Sequence, residues 1–530
     1  MLTTSCSGKE FYFRFNQEGF LPGDIKTAVI LSQDDLSGSE YKIINENGPV
    51  FKNEVKESLG KFGNFNFSYK INFSDVKHPG KYRILLDDRY SDFFEIGNNL
   101  YTSLVDSLLT FFKVQRCGYT NPLLHKTCHF YDVTSIIDGK DTLKEKKDVT
   151  GGWHDAGDYV KFFNTTAFST YLLLFSYEYD KSKFGFDNDN SGVPDILEEA
   201  KTGLDWLQRC GYGDKFITQV QTLKDHDVGW RMPEDDILAV DRPGYIGQGK
   251  NLIGIYCATM ALASRIWQED IKYPDYAHKC ITSAIKYYEL AKKSADIDSS
   301  GSGMYHDNTF AGKMELGAVE LYISTGDKDY LNDAFKYADS AKADYWWGWG
   351  NINSLAHYKL ASYNFKYADY IKTNLQHFSN HQKNQLFEEG VPHIWGTNLT
   401  ISGIVLQSIL YKKLTGSNEF DTLEVSQRDF LLGKNQWGVS FFTGFGREYS
   451  QNLHNQVSYL TGKMLPGGFA AGPVTKKLYE SYHVPVDEAD RFSKFQTDSL
   501  VYYDNRLDYL TNEPTISANA TAIFIFGVSE

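Results

Sequence analysis

Asn98-Asn99-Leu100-Tyr101-Thr102-Ser103-Leu104-Val105-Asp106-Ser107-Leu108-Leu109-Thr110-Phe111-Phe112-Lys113-Val114-Gln115 is where this chain changes character. From Leu100 to Gln115 the apolar residues recur at helical spacing. Upstream the period is that of strands. Phe11-Tyr12-Phe13-Arg14-Phe15 and Lys81-Tyr82-Arg83-Ile84-Leu85-Leu86 alternate, and Thr27-Ala28-Val29-Ile30-Leu31 is short and β-prone. Leu21-Pro22-Gly23-Asp24 and His78-Pro79-Gly80 supply the turns between them. Residues 10–97 therefore predict a small immunoglobulin-like β-sandwich with no catalytic constellation. Downstream, amphipathic runs dominate: 100–115, 167–179, 195–210, 252–268, 277–291, 313–324, 330–345 and 402–414. Glycine-, aspartate- and aromatic-bearing loops separate them. A helical domain of this size, with polar residues gathered at loop ends, predicts an α/α barrel over 98–530. The fold class is mainly α.

Composition narrows the partners. The chain of 530 residues is too long for one core and predicts at least two domains. Its net charge is −14, with no Lys/Arg-rich run, which argues against nucleic acid or an anionic membrane as partner. The 36 Tyr and 9 Trp are enough to fill a core and also line a cleft on which sugar faces stack. No run reaches transmembrane length. Small residues ahead of Cys6 resemble the end of a bacterial lipoprotein signal, against the alternative of an arbitrary start. Export, as a secreted, periplasmic or lipid-anchored protein, is the expectation.

Gly151-Gly152-Trp153-His154-Asp155-Ala156-Gly157-Asp158-Tyr159 places two carboxylates three residues apart between turn-permitting glycines. Carboxylates so close do not both ionise freely, and the arrangement suits activation of a water molecule. An ordinary Asp-rich turn is the alternative. Near the C-terminus, Glu513 follows the aromatic-rich stretch Tyr502–Thr511 and precedes Pro514 and an apolar, helix-like tail. Desolvation there raises a carboxyl pKa toward neutrality, whereas the plain reading is a helix-starting acid. A protonated Glu facing a water-holding Asp pair is what inverting hydrolysis of a glycosidic bond requires, with acid and base roughly 6.5–9.5 Å apart.

Residues 151–162, Gly-Gly-Trp-His-Asp-Ala-Gly-Asp-Tyr-Val-Lys-Phe, resemble the hallmark of family 9 glycoside hydrolases, the cellulase group. The run from Tyr502 through Asp504, Tyr509, Glu513, Thr515 and Asn519 to Ala520 resembles that family's C-terminal signature. Ser440–Gly446 leading to Asn452-Leu453-His454 resembles its active-site histidine motif. Met232–Asp236 and Phe430–Asn435 are also similar, and the leading sandwich matches the immunoglobulin-like domain that many members carry. The resemblance implies an (α/α)6 barrel and an inverting mechanism. It implies Asp158 as general base, Asp155 as water holder and Glu513 as general acid, with His454, Tyr509 and Trp153 against the sugar. Two departures stand out. His454 is followed by Asn455-Gln456 where the family has His-Arg, which implies a weaker grip on the sugar beyond the cleavage point, since Gln lacks the guanidinium fork. Ala518 stands where the family has Tyr, removing an aromatic contact.

Two metal sites are expected. Cys117, Cys128, His129 and His154 make a Cys2His2 set of the kind that holds structural zinc, as in similar bacterial family 9 members; a Cys117–Cys128 disulfide is the alternative. Asp187-Asn188-Asp189-Asn190-Ser191-Gly192-Val193-Pro194-Asp195-Ile196-Leu197-Glu198 spaces its ligand positions Asp187, Asp189, Ser191, Val193, Asp195 and Glu198 as a calcium loop does. A solvated turn capping the following helix is the alternative. No organic cofactor is expected. The leading expectation of function is an inverting endo-β-1,4-glucanase acting on cellulose or related β-glucans. The alternatives are an exo-acting β-glucosidase or glucosaminidase on short oligosaccharides, and a catalytically dead carbohydrate-binding protein.

Overall fold

In the computed structural model, residues 9–301 and 305–529 are described; Cys6 lies outside them. Among the described residues, eight strands precede the first long helix: β1 (Phe11–Arg14), β2 (Thr27–Ser32), β3 (Glu40–Asn45), β4 (Gly48–Glu54), β5 (Phe67–Asn72), β6 (Gly80–Leu86), β7 (Arg89–Tyr90) and β8 (Phe94–Ile96). One sheet runs β1-β2-β5 and the other β4-β3-β6-β7, with β8 also on β6. Strand β2 is buried along its whole length because both its faces are covered. Ala28 and Ile30 enter the sandwich core, while Val29 and Leu31 join the core of the helical domain. A strand that reads as continuously apolar is thus the seam between the domains. Polar groups fix that seam: Arg14 Nε donates to the Gln436 carbonyl (2.9 Å), Asn16 to Asp429 (2.9 Å) and Arg428 to Asp24 (2.6 Å).

Among the described residues, the helical domain has twelve helices of nine or more residues: α1 (Thr102–Gln115), α2 (Phe163–Tyr179), α3 (Asp195–Arg209), α4 (Lys250–Glu269), α5 (Pro274–Ala291), α6 (Ala311–Thr325), α7 (Lys328–Ala341), α8 (Asn353–Ala361), α9 (Ala368–Gln382), α10 (Thr397–Thr415), α11 (Asp421–Leu431) and α12 (Ile516–Val528). Even-numbered helices form an inner ring, α2-α4-α6-α8-α10-α12, which closes where α12 packs on both α10 and α2. Odd-numbered helices pack outside them as partners. The chemistry of the two sets differs accordingly. Helices α2 and α12 are buried almost throughout, whereas α3 and α7 bury one stripe only. This is the (α/α)6 barrel.

Inner helices approach closely at glycines. A Cβ on Gly254 of α4 would lie 2.4 Å from the Lys313 carbonyl carbon of α6, and one on Gly317 of α6 would lie 2.6 Å from the Gly254 oxygen. Backbone cannot yield as a side chain does. Gly254→Ala is therefore expected to destabilise the protein by about 1–3 kcal/mol in urea titration, although alanine is the better helix former. A gain in stability would contradict this crossing.

Candidate active site

The turn at 151–162 is shaped by its glycines. Gly151 and Gly152 hold φ of 109° and 71°, and a Cβ on Gly152 would meet the Trp206 ring at 2.6 Å. The turn delivers Asp155 and Asp158 to the end of the barrel from which α2 departs. Asp155 is buried. Its Oδ1 accepts from the Thr165 hydroxyl, and the Tyr305 phenol interacts with the same carboxyl group. Burial, and then the charge of Asp158, push its pKa up to about 7. Asp158 is more open: Oδ1 accepts from the Val160 amide (3.1 Å), and Oδ2 pairs with His226 Nε2 at 2.6 Å. That carboxylate in turn raises His226 to about 9, so the imidazolium persists at neutral pH.

Glu513 arrives from the other end of the sequence. The short helix Tyr509–Asn512 stops at Pro514, and α12 follows. Glu513 Oε1 accepts from the Gly157 amide (3.0 Å), which sets it within the same turn as the two aspartates. Burial, then the charge of Asp158, raise Glu513 to about 8, against the smaller opposing pull of the Gly157 amide. It therefore carries a proton at neutral pH.

The three carboxyl groups line one cavity of about 490 Å³ together with His226, Trp230, Trp395, His454, Tyr482 and Tyr509. A second cavity of about 420 Å³ adjoins it, lined by Trp346, Trp347, Trp349, Asp307, Ser517 and Ala518. Tyr305, Trp395 and Glu513 line both, so the groove continues past Glu513 in both directions. Tryptophan and tyrosine rings with few charges between them suit the apolar faces of pyranose rings.

His454 and Tyr509 stand on this groove; His454 Nδ1 bonds the Arg506 carbonyl at 2.8 Å, and burial lowers its pKa. Trp153 does not. It is fully buried, its Nε1 donates to Glu199 (2.7 Å), and Gly203 leaves room for its ring. An indole this large in a glycine-rich turn anchors the turn to α3 instead of meeting solvent. Gln456, set where the family has arginine, is also buried: its Oε1 accepts from the Arg231 amide (3.0 Å) and its Nε2 donates to the Gly157 carbonyl (3.3 Å). Ala518 lines the second cavity. Reading the sequence missed His226, Asp225, Tyr305, Trp230 and Trp395. Asp225-His226 lies just ahead of the Met232–Asp236 run, and that adjacency was the one available signal.

Cys117, Cys128, His129 and His154 bring one ligand atom each to within 4.8 Å of one another, all buried. Tetrahedral zinc with thiolate and imidazole ligands separates its ligand atoms by roughly 3.3–3.8 Å. Cys117 Sγ lies 3.6 Å from His129 Nδ1, which lies 3.1 Å from His154 Nε2. His129 Nε2 is held by Asp236 at 3.0 Å, as an outer carboxylate would orient a histidine ligand. Cys117 and Cys128 are not bonded to each other. In the acidic loop, Asp187, Asp189 and Asp195 gather carboxylate oxygens within 4.8 Å. Glu198 does not join them; on the first turn of α3 its charge favours the helix dipole instead. The Ser191 hydroxyl bonds the Val193 carbonyl (3.2 Å), and the amides of Ser191 and Gly192 bond Asp187.

Sequence models place this geometry in context. Residues 101–526 match the family described as glycosyl hydrolase family 9, and residues 10–91 match the cellulase N-terminal ig-like domain. Endoglucanase D of Acetivibrio thermocellus is 24% identical over 92% of this chain and 80% of its own. A cellodextrinase of Butyrivibrio fibrisolvens is 25% identical over 96% and 98%. A solved structure of a metagenome-derived glycoside hydrolase family 9 endoglucanase shares the fold with a TM-score of 0.82, at 24% identity, over 98% of this chain and 99% of that one.

The enclosure of Glu513 has a spectroscopic consequence. Infrared or carbon NMR titration should show a carboxyl group protonated below and ionised above a pH of about 8, absent from Glu513→Gln. A Glu513 signal that titrates near 4.5 would contradict it.

Proposed function

Because this chain belongs to glycoside hydrolase family 9, we propose that it is an inverting endo-β-1,4-glucanase acting on cellulose or a related β-glucan. One observation carries the reading: a desolvated carboxyl group, Glu513, and a partly open one, Asp158, line the same aromatic groove. The Glu513 O–H donates to the glycosidic oxygen as the bond breaks. Asp158 takes a proton from water that attacks the opposite face of the ring. Asp155, buried beside Asp158 in the same turn, accepts that water's second hydrogen. His226 holds the Asp158 carboxyl group in place through its 2.6 Å contact. The groove running past Glu513 on both sides favours internal cleavage, since an exo-acting enzyme needs one end closed.

Cys117, Cys128, His129 and His154 would hold zinc in a structural role. All four positions are filled by protein, so no place is left for a reacting water. His154 adjoins Asp155, so the metal would brace the catalytic turn. Asp187, Asp189 and Asp195, with the Val193 carbonyl, would hold calcium at the start of α3. Among the described residues, no helix is long and apolar enough to cross a membrane. A polymeric substrate lies outside the cell, and export follows from that reading.

Asp158→Ala is expected to lower kcat about 1,000-fold on cello-oligosaccharides. Azide should restore turnover to a glycosyl azide of inverted configuration. Undiminished hydrolysis by the variant would refute the assignment of the base. On soluble cellulose derivatives, viscosity should fall well before monosaccharide appears; monosaccharide released first would favour the exo-acting alternative. Removal of metal by chelation should lower Tm by several degrees, restored by zinc for the cysteine–histidine cluster and by calcium for the acidic loop. A Tm indifferent to complete metal removal would overturn both metal assignments.

A further inference from the structure

Asp158 is held from both sides in the chain, and both ties lead to one residue. On the far side, the amide of Tyr159 donates to Asp225 Oδ2 at 3.0 Å. The other oxygen of Asp225 is taken by Arg231 Nη2 at 2.5 Å. On the near side, the carbonyl of Gly157 accepts from Gln456 Nε2 at 3.3 Å, and the amide of Arg231 donates to Gln456 Oε1 at 3.0 Å. The Tyr159 hydroxyl also donates to the Arg231 carbonyl, and the guanidinium lies 5.2 Å from the Tyr159 ring centre. His226, which pairs with Asp158 itself, is the next residue after Asp225.

The guanidinium is used on two edges. Its Nε donates to Asp236 Oδ1 at 2.6 Å, and Asp236 Oδ2 faces His129 of the cysteine–histidine cluster at 3.0 Å. Both carboxylates are fully buried, and the arginine side chain is 9% exposed. A planar fork spans two carboxylates at once, which a single ammonium does not. Nothing in this arrangement requires Arg231 to touch the substrate: Trp230, Gly229 and His226 line the groove, and Arg231 stands behind them.

We propose that Arg231 is a positioning residue for the catalytic base, holding the turn Gly157–Tyr159 and the His226 imidazole in register through Asp225 and Gln456, and tying both to the cysteine–histidine cluster through Asp236. The proposal rests on Asp158 being the base. A displacement of about 1 Å at a reacting group costs on the order of 100-fold in rate. Arg231→Gln should therefore lower kcat on cello-oligosaccharides by about 100-fold, with KM changed by less than about threefold.

A comparison with Asp158→Ala separates this from a general loss of structure. In that variant, azide-supported turnover no longer uses the base. Adding Arg231→Gln to Asp158→Ala should lower the azide-supported kcat by less than about tenfold, because two substitutions acting mainly through one group are not additive. A fall there as large as in the wild-type background would overturn the proposal, as would an Arg231→Gln enzyme with unchanged kcat. If Arg231→Gln does not fold, as judged by its melting transition, Arg231→Lys serves in its place. It keeps the charge without the fork and should show the same split between kcat and KM; wild-type kcat in Arg231→Lys would equally overturn the proposal. Full activity of Asp158→Ala alone, without azide, would instead refute the assignment of the base on which this rests.

Discussion

Gly157 and Glu513 are 356 residues apart in the chain and joined by one 3.0 Å hydrogen bond in space. Everything about the site depends on that approach. A Cβ at position 157 would lie 2.3 Å from the His454 carbonyl oxygen and 3.1 Å from Glu513 Oε1. Only glycine lets the aspartate turn, the histidine loop and the C-terminal acid share one corner. A second tie reinforces it: the amide of Ile516, first residue of α12, donates to the Asp155 carbonyl at 3.0 Å. Closure of the helical ring by α12 and assembly of the site are therefore one event. Neither half of the carboxyl set exists without the other, and the barrel is the device that brings the ends of the sequence together.

Once assembled, the three carboxyl groups are made unequal by their surroundings. Burial acts on Asp155 and Glu513 and pushes both upward. Asp158 keeps 17% of its side chain exposed and pairs with the His226 imidazolium at 2.6 Å. The charge of Asp158 in turn helps hold the proton on Glu513. Burial and the neighbouring Asp158 thus set the proposed acid apart from the proposed base.

Reading the sequence located the parts whose chemistry is written in residue type. Strand alternation over 10–97, helical runs such as 252–268, and the carboxylates at 155, 158 and 513 all correspond to observed features. Boundaries were less legible. The run read as 330–345 ends at Ala341, because Lys342 and Tyr345 adopt left-handed backbone to start the loop that carries Trp346, Trp347 and Trp349 into the groove. Helices α8, α9 and α11 were not singled out. Helix α8 has only nine residues, buried on most sides, and so shows little of the one-sided stripe that marks a helix. Trp153 was misread for a related reason: residue type proclaims an aromatic contact but not which side of a turn it faces. His226 and Arg231 were missed because their value lies in pairing with residues far along the chain, and pairing leaves no periodic trace.

Gln456 shows how a departure from a family pattern is to be weighed. Set beside the family, it looks like a deletion, an arginine fork replaced by an uncharged amide. In the folded chain, the amide is engaged at both ends, between the Arg231 amide and the Gly157 carbonyl. An arginine has five donors and no acceptor, so it could not receive the Arg231 N–H, and that donor would be stranded in a buried place. Glutamine satisfies donor and acceptor together. The position still lines the groove, but with an amide already engaged in bracing the turn of the base. Grip on the substrate must then come from the rings of the groove, from Trp230 and Trp395 through Trp349. Recognition of that kind reads the flat face of a sugar more than its hydroxyls, which suits a chain of repeating units better than one defined end.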